Sequence, residues 1–267
     1  MAMDTDKNSY TIIFAVAMVV AVGALLAFTA SSLKPAISEN ERIEKQQNIL
    51  YAMGINENDG SSANFVSTSE APQLFKNNVA EQLVLESKAG EIVKTMTGKE
   101  YMDANGGKEP YLIDIKKQKS NAKNGSSRLL PLFVGNNKDG KKVYVAPIYG
   151  KGLWDAIWGY VAMDKNMVVQ GVYFDHKGET PGLGANIKQR FFMDDFYGEH
   201  LLTDAGVFKG ITVAKGNADP KNDNKTDNEV DAIAGATITG DGVTAMIKSD
   251  LKLYKPYFDS LKSQQSN

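Results

Sequence analysis

The chain contains no cysteine. That excludes disulfides, protein-ligated iron–sulfur clusters, zinc–thiolate sites, thiol catalysis and any flavin attached through sulfur. Histidine is almost as scarce. His176 and His200 are the only two, too few for a multi-histidine metal centre or a haem with two His ligands. No excess of positive charge exists either: 30 Lys and Arg face 32 Asp and Glu, and the pI is about 5.8. A protein that neutralises phosphates needs surplus cations, so nucleic acid is not an expected partner. Also missing are a GxxxxGK[ST] phosphate loop, a GxSxG elbow and a GxGxxG following a strand. What remains is 267 residues, enough for one sizeable domain or two small ones.

Apolar residues are unevenly placed. Residues 8–33 carry no charge, and the core of this run reads TIIFAVAMVVAVGALLAFTA. A bilayer's hydrocarbon layer takes roughly 20 apolar residues of helix, which satisfies its own backbone donors and acceptors. The run is too long for a usual signal-peptide core. The segment before it, MAMDTDK, holds one Lys against two Asp. The sequence therefore predicts an uncleaved N-terminal transmembrane helix within residues 1–35. Lys7 precedes it, and Lys34, Arg42 and Lys45 follow it. Counted alone, these cations weakly favour a cytoplasmic C-terminal part.

Beyond the span, Ser38-x-x-Glu41 has the form of a capping box, followed by a stripe of Ile43, Ile49, Leu50 and Met53 and a stop at Gly54. This predicts a second helix. Residues 56–72 read as a polar linker and 74–89 as helix. Strands are expected at 129–134 and 141–149 around the turn GNNKDG, at 156–163 and 167–175 around Asp164-Lys165-Asn166, and at 208–214. Residues 217–229 read as an exposed loop. Residues 243–254 have helical spacing, interrupted by Pro256. The cations Lys108, Lys116, Lys117, Lys119, Lys123 and Arg128 read as a solvated hairpin and its turn. The expected fold is α+β: an antiparallel sheet with flanking helices behind a single span. The expected division is 1–35, a connecting region 36–128 packed on the rest, and a ligand-binding domain 129–267.

Two glycine-rich segments carry the chemistry. The first is Gly178-Glu179-Thr180-Pro181-Gly182-Leu183-Gly184. Three glycines around a proline shape a tight loop whose backbone can approach a flat ligand, though the spacing fits a plain strand-to-helix turn equally well. The second is Asp231-Ala232-Ile233-Ala234-Gly235-Ala236-Thr237-Ile238-Thr239-Gly240-Asp241-Gly242. Small residues leave the Thr237 hydroxyl open, and a helix starting near Asp241 would turn its N-terminal donors toward a phosphate. On spacing alone, ordinary capping by Thr239 or Asp241 is the simpler reading.

At these residues the sequence resembles the FMN-binding domain family. Asp231-x-x-Ala234-Gly235-Ala236-Thr237 is similar to its D-x-x-[ST]-G-A-T acceptor motif, with Ala234 where Ser or Thr is more usual. The 178–184 segment resembles a second hallmark and Gly152-Leu153-Trp154 a third. The similarity covers most of the chain and is clearest over 149–244. It implies FMN joined through its phosphate to Thr237. Asp231, Gly235, Ala236, Thr239, Trp154, Glu179, Thr180, Gly182, Leu183 and Gly184 would bind the cofactor. No metal site is implied. Within the family, the long stretch before Trp154 looks like the C subunit of the sodium-translocating NADH:quinone oxidoreductase, with the G subunit of the Rnf electron-transport complex as the alternative. The resemblance implies an electron-carrying subunit of a complex that oxidises NADH, reduces quinone and exports sodium, in the bacterial inner membrane. Its partners would be the other subunits, membrane lipid and a flavin transferase. It also implies a periplasmic flavin domain, against the weak reading of the flanking charges. A membrane-anchored scaffold without cofactor is the reading from a different class.

Overall fold

A computed structural model describes residues 8–216, 219 and 221–265. The chain divides into two compact units, Met1–Ile43 and Glu44–Asn267. Helix α1 (Asn8–Ala52) contributes to both. Its apolar part is long and hydrophobic enough to cross a membrane, and its residues there are exposed. The predicted new start at Ser38 is not observed. The helix runs through Pro35 and Ser38 without a break. Proline removes one backbone donor, and the residues on both sides of it favour helix, so a single continuous helix prevails. Its end falls where expected: Gly54 adopts a left-handed φ of 76°, and the Ile55 N–H closes onto the Leu50 carbonyl at 2.9 Å. The charges of residues 1–7 lie outside the described residues.

The larger unit contains α2 (Ala71–Asn78), β1 (Val79–Lys88), β2 (Glu91–Thr97), α3 (Gly98–Ala104) and α4 (Ile115–Lys123). There follow β3 (Arg128–Asn136), β4 (Lys142–Lys151), β5 (Ala156–Met163), β6 (Val169–His176) and α5 (Arg190–Met193). Last come β7 (Thr212–Val213), β8 (Glu229–Val230), α6 (Thr237–Leu251) and α7 (Lys255–Gln265). Six strands form one antiparallel sheet in the order β2-β1-β3-β4-β5-β6. Both predicted hairpins are present. Strands β1 and β2 come from the stretch expected to connect, and they pair into the same sheet.

Alternation along the strands gives the sheet two packed faces. On one, Phe133 and Tyr173 meet Phe75, Phe65 and Tyr51, the last from the end of α1. On the other, Tyr144 packs edge-on against Phe258, and Phe174 against Phe192 and Phe196. Helix α6 lies across β4 on this second face. A Cβ on Gly150 would stand 2.7 Å from Met246 Cβ, and one on Gly242 would collide with the Lys151 carbonyl. Glycine at both positions lets helix and strand cross closely.

Several expected elements differ. Residues 79–88 form β1, not helix. Val79, Leu83, Val84 and Leu85 fit either period, and pairing with strands on both sides decides. The strand expected at 208–214 shrinks to Thr212–Val213, paired in parallel with β8. Residues 217–229 are not simply exposed. Asn222 and Asn228 are buried, and their amides donate to the carbonyls of Asp195 and His200. Lys225 reaches the Asp195 carbonyl at 2.9 Å and stands 3.6 Å from the fully buried Glu199. Composition misses this because a buried asparagine is indistinguishable in sequence from a solvated one. Within this loop, Asn217, Ala218 and Pro220 lie outside the described residues. Lys116, Lys117, Lys119 and Lys123 of the basic run lie on helix α4, capped by Asp114, rather than in a hairpin, and Arg128 opens β3.

The far end of α6 is tied down by a buried charge. Asp250 accepts from Arg128 at 3.1 Å and from the Tyr149 N–H at 2.8 Å, and pairs with Lys119 at 2.9 Å. Its side chain is 1% exposed. Removing one partner of such a set leaves uncompensated charge in the interior. In a soluble fragment beginning at Glu44, Asp250→Ala is expected to lower unfolding free energy by about 3–5 kcal/mol. Urea denaturation followed by circular dichroism measures it, and a loss near zero would mean that the network holds nothing.

Candidate functional site

Three loops converge beside the N-terminus of α6. A tight turn, closed by the Gly152 N–H on the Asp155 carbonyl at 2.9 Å, presents the amides of Leu153, Trp154 and Asp155. The 178–184 loop follows β6 directly. Within it the Leu183 and Ala185 N–H groups both donate to the Thr180 carbonyl at 3.1 Å, and Gly182 takes a φ of 76°. The third loop enters α6 after Gly235, whose φ is 70°.

One side chain joins them. Glu179 is 4% exposed. Its Oε1 accepts the Trp154 N–H at 2.9 Å, and its Oε2 accepts the Thr239 hydroxyl at 2.6 Å. Burial opposes its charge, but the Thr239 hydroxyl and the amides of Trp154, Asp155 and Leu153 outweigh that, holding the carboxyl below the usual range. Two glycines make room for it. A Cβ on Gly152 would stand 2.6 Å from Oε1, and one on Gly184 would stand 2.5 Å from Oε2. Glu179 also donates its own N–H to His176 Nδ1 at 3.2 Å. Sequence reasoning used His176 only to exclude metals. Its nearness to the loop was a signal that could have found it.

Around this polar junction the surface is open and apolar. Trp154 is 65% exposed, and its indole N–H donates to Thr180 Oγ1 at 3.2 Å. Leu183 and Ile238 are exposed as well, and Leu183 lies against Gly235, where a Cβ would stand 2.8 Å from Leu183 Cδ2. Trp154 is thus not a core tryptophan. Thr237 is exposed at the first position of α6. The helix starts there, not near Asp241. Its N-cap, Ala236, has no side chain that can accept a hydrogen bond, so the first turn's donors lack a side-chain cap. Thr239 is no cap: it is buried in the first turn and bonded to Glu179.

Among the expected residues, the structure brings together Trp154, Glu179, Thr180, Leu183, Gly184, Gly235 and Thr239, with Ala236 and Thr237 adjoining in the chain. Gly182 shapes the 178–184 loop. Asp231 faces other acids. It is half-buried, its carboxyl is raised by burial and by Asp219, and it acts on Asp195. One cation was missed. Lys215, just beyond β7, places Nζ 4.0 Å from Asp241 in the second turn of α6. Among the described residues no cluster of His, Cys, Asp and Glu is able to hold a metal.

This geometry coincides with a known domain. A family profile described as "FMN-binding domain" matches residues 152–252. The chain is 28% identical to the C subunit of the Na(+)-translocating NADH-quinone reductase of Neisseria meningitidis, with 98% of each covered, and 26% identical to that of Pasteurella multocida over the same share. The fold is similar to the crystal structure of the C subunit from Parabacteroides distasonis, with a TM-score of 0.66 and 29% identity over 85% of this chain and 96% of that one. Shewanella oneidensis NqrC gives 0.62 and 26% over 84% and 99%. The chain is thus similar to these C subunits along nearly their whole length. The sheet and flanking helices seen here match the fold of those structures, and the FMN-binding-domain profile spans all three converging loops.

The Glu179 junction makes a pH prediction. A carboxyl whose folded pKa is depressed contributes stability that is complete above its unfolded pKa, about 4.3, and lost as pH falls through the folded value. Glu179→Gln should therefore cost about 2 kcal/mol at neutral pH, and the difference from wild type should narrow below about pH 4. Thermal unfolding of both proteins across pH reads this. A difference independent of pH would show that the charge is not what holds the loops.

Proposed function

We propose that the chain is an electron-carrying flavoprotein subunit of a Na+-translocating NADH:quinone oxidoreductase, with FMN joined through its phosphate to the Thr237 hydroxyl. The observation that carries the reading is the Glu179 junction, which fixes three separate loops around an exposed threonine at a helix start. Each part suits FMN. Thr237 offers a reachable hydroxyl. The donors of the α6 first turn and the Lys215 ammonium suit the charge of a phosphodiester. Trp154, Leu183 and Ile238 offer apolar surface to a flat ring, and Thr180 fixes the indole. Bound flavin supplies one- and two-electron chemistry, while this chain supplies position and tunes potential.

The relatives matched over nearly their whole length support this C-type assignment over the G subunit of an Rnf-type complex. The chain on this reading has no complete enzymatic activity alone and works with the other subunits. It is held in the bacterial inner membrane by α1, with residues 44–267 on the periplasmic side, where a flavin transferase attaches the cofactor. A cofactor-free scaffold would have no use for an uncapped helix start framed by exposed Trp154 and Leu183.

Thr237→Ala should abolish covalent flavin, because alanine has no oxygen to esterify, and Thr237→Ser should restore it. Thr239→Ala should keep the flavin and lower stability by about 1 kcal/mol, since it loses a hydrogen bond rather than the acceptor. Mass spectrometry of tryptic peptides decides, and a flavin-bearing peptide surviving in Thr237→Ala would move the site. Trp154→Ala should leave attachment intact while shifting the flavin's absorption and midpoint potential. An unchanged spectrum and potential would remove Trp154 from the cofactor's surroundings.

A further inference from the structure

The basic run that the proposed chemistry leaves unused lines a cleft. Helix α4 faces α6 across the end of β4, and the space between them, about 780 Å³, is bordered by Lys116, Lys119, Lys123, Lys151, Trp154 and Ala245. Residues 116, 119 and 123 stand three and four apart, so they share one face of α4. Lys119 is committed: its Nζ donates to the Tyr149 carbonyl at 2.7 Å and pairs with Asp250. Among the described residues, Lys116, Lys123 and Lys151 make no ion pair. The acid bordering the cleft, Asp155, is paired with Lys177 at 3.0 Å and feels Lys116 more weakly.

We propose that this cleft is a docking surface for an acidic polypeptide segment of a partner protein. Its charge selects an anionic occupant, and its construction selects the class. A small-molecule site holds its ligand by a few fixed polar groups. Here the uncommitted cations are exposed lysines on flexible stems, point charges without a directional fork. Such groups cannot orient a compact anion, but together they attract a chain carrying several carboxylates and steer its approach. Trp154 stands at the junction of the cleft and the proposed flavin site. A segment docked here lies beside the flavin surface, a consequence that rests on the flavin reading, whereas the docking does not.

The test uses the full chain in detergent without flavin, so failure of the flavin reading leaves it intact. Short poly-L-glutamate is the probe, titrated by calorimetry. Saturable binding is expected that weakens as salt rises, and Lys116→Glu/Lys123→Glu should weaken it about tenfold. Lys108→Glu/Lys117→Glu makes the same change of charge away from the cleft and should leave affinity unchanged. Circular dichroism checks folding, and Lys116→Gln/Lys123→Gln gives a milder variant with an intermediate loss. Equal weakening by the off-cleft pair would reduce the effect to net charge and overturn the proposal. So would absence of saturable binding, or inorganic phosphate or anionic lipid vesicles occupying the same lysines in place of polyglutamate.

Discussion

Glu179 is an ionised group placed where an apolar side chain would pack more easily, and the arrangement of the site depends on it. A buried carboxylate is tolerated only when its lone pairs are met. Meeting them forces the 152–155 turn, the 178–184 loop and the first turn of α6 to one point. The two flanking glycines follow from this, since a methyl group at Gly152 or Gly184 would stand where a carboxylate oxygen is. So does the burial of Thr239, whose hydroxyl is spent on Glu179 while that of Thr237, two residues earlier, stays free. A single charge thus distinguishes two chemically identical side chains.

Helix α6 is held at both ends by acids of this kind. Near its start Glu179 bonds Thr239, and at its end Asp250 ties it to Arg128 on β3, Lys119 on α4 and the backbone of β4. Between them, Gly150 and Gly242 let the helix sit close on the sheet. The position of Thr237 is therefore fixed by the whole sheet rather than by its own loop. Buried ion pairs contribute little net stability compared with good apolar packing, but they penalise any displaced geometry heavily. That is useful where a helix terminus must hold one orientation.

Much of this was legible in the sequence. The membrane run, the hairpins around GNNKDG and Asp164-Lys165-Asn166, and the three glycine-bearing segments each carry a local signal: hydrophobic length, turn chemistry, or small residues in a row. What was not legible depends on partners distant in the chain. Residues 79–88 became strand because β2 and β3 flank them. Lys116 and Lys123 are exposed, as they read in the sequence, whereas Lys119 read as solvated and is held by the Tyr149 carbonyl and Asp250. Thr239 and Asp241 looked like caps because a capping residue is recognised by local pattern, whereas Glu179, 60 positions away, takes the Thr239 hydroxyl. The role proposed for Thr237 comes from the resemblance to the family, since local physics alone left it as an ordinary helix start.

The openness of the site bears on why a covalent bond suits it. Small molecules held by contact alone occupy concave pockets that bury most of their surface. Trp154, Leu183, Ile238 and Thr237 are all exposed, so the surface they present is open to solvent. On an open surface few contacts oppose the loss of translational and rotational freedom, so reversible affinity would be low. A bond to Thr237, on the proposed reading, removes that requirement. The cofactor can then stay exposed to a redox partner without being lost to solvent. On that reading, exposure and covalent attachment would be two consequences of one constraint: a carrier must keep its flavin and yet leave it within a partner's reach.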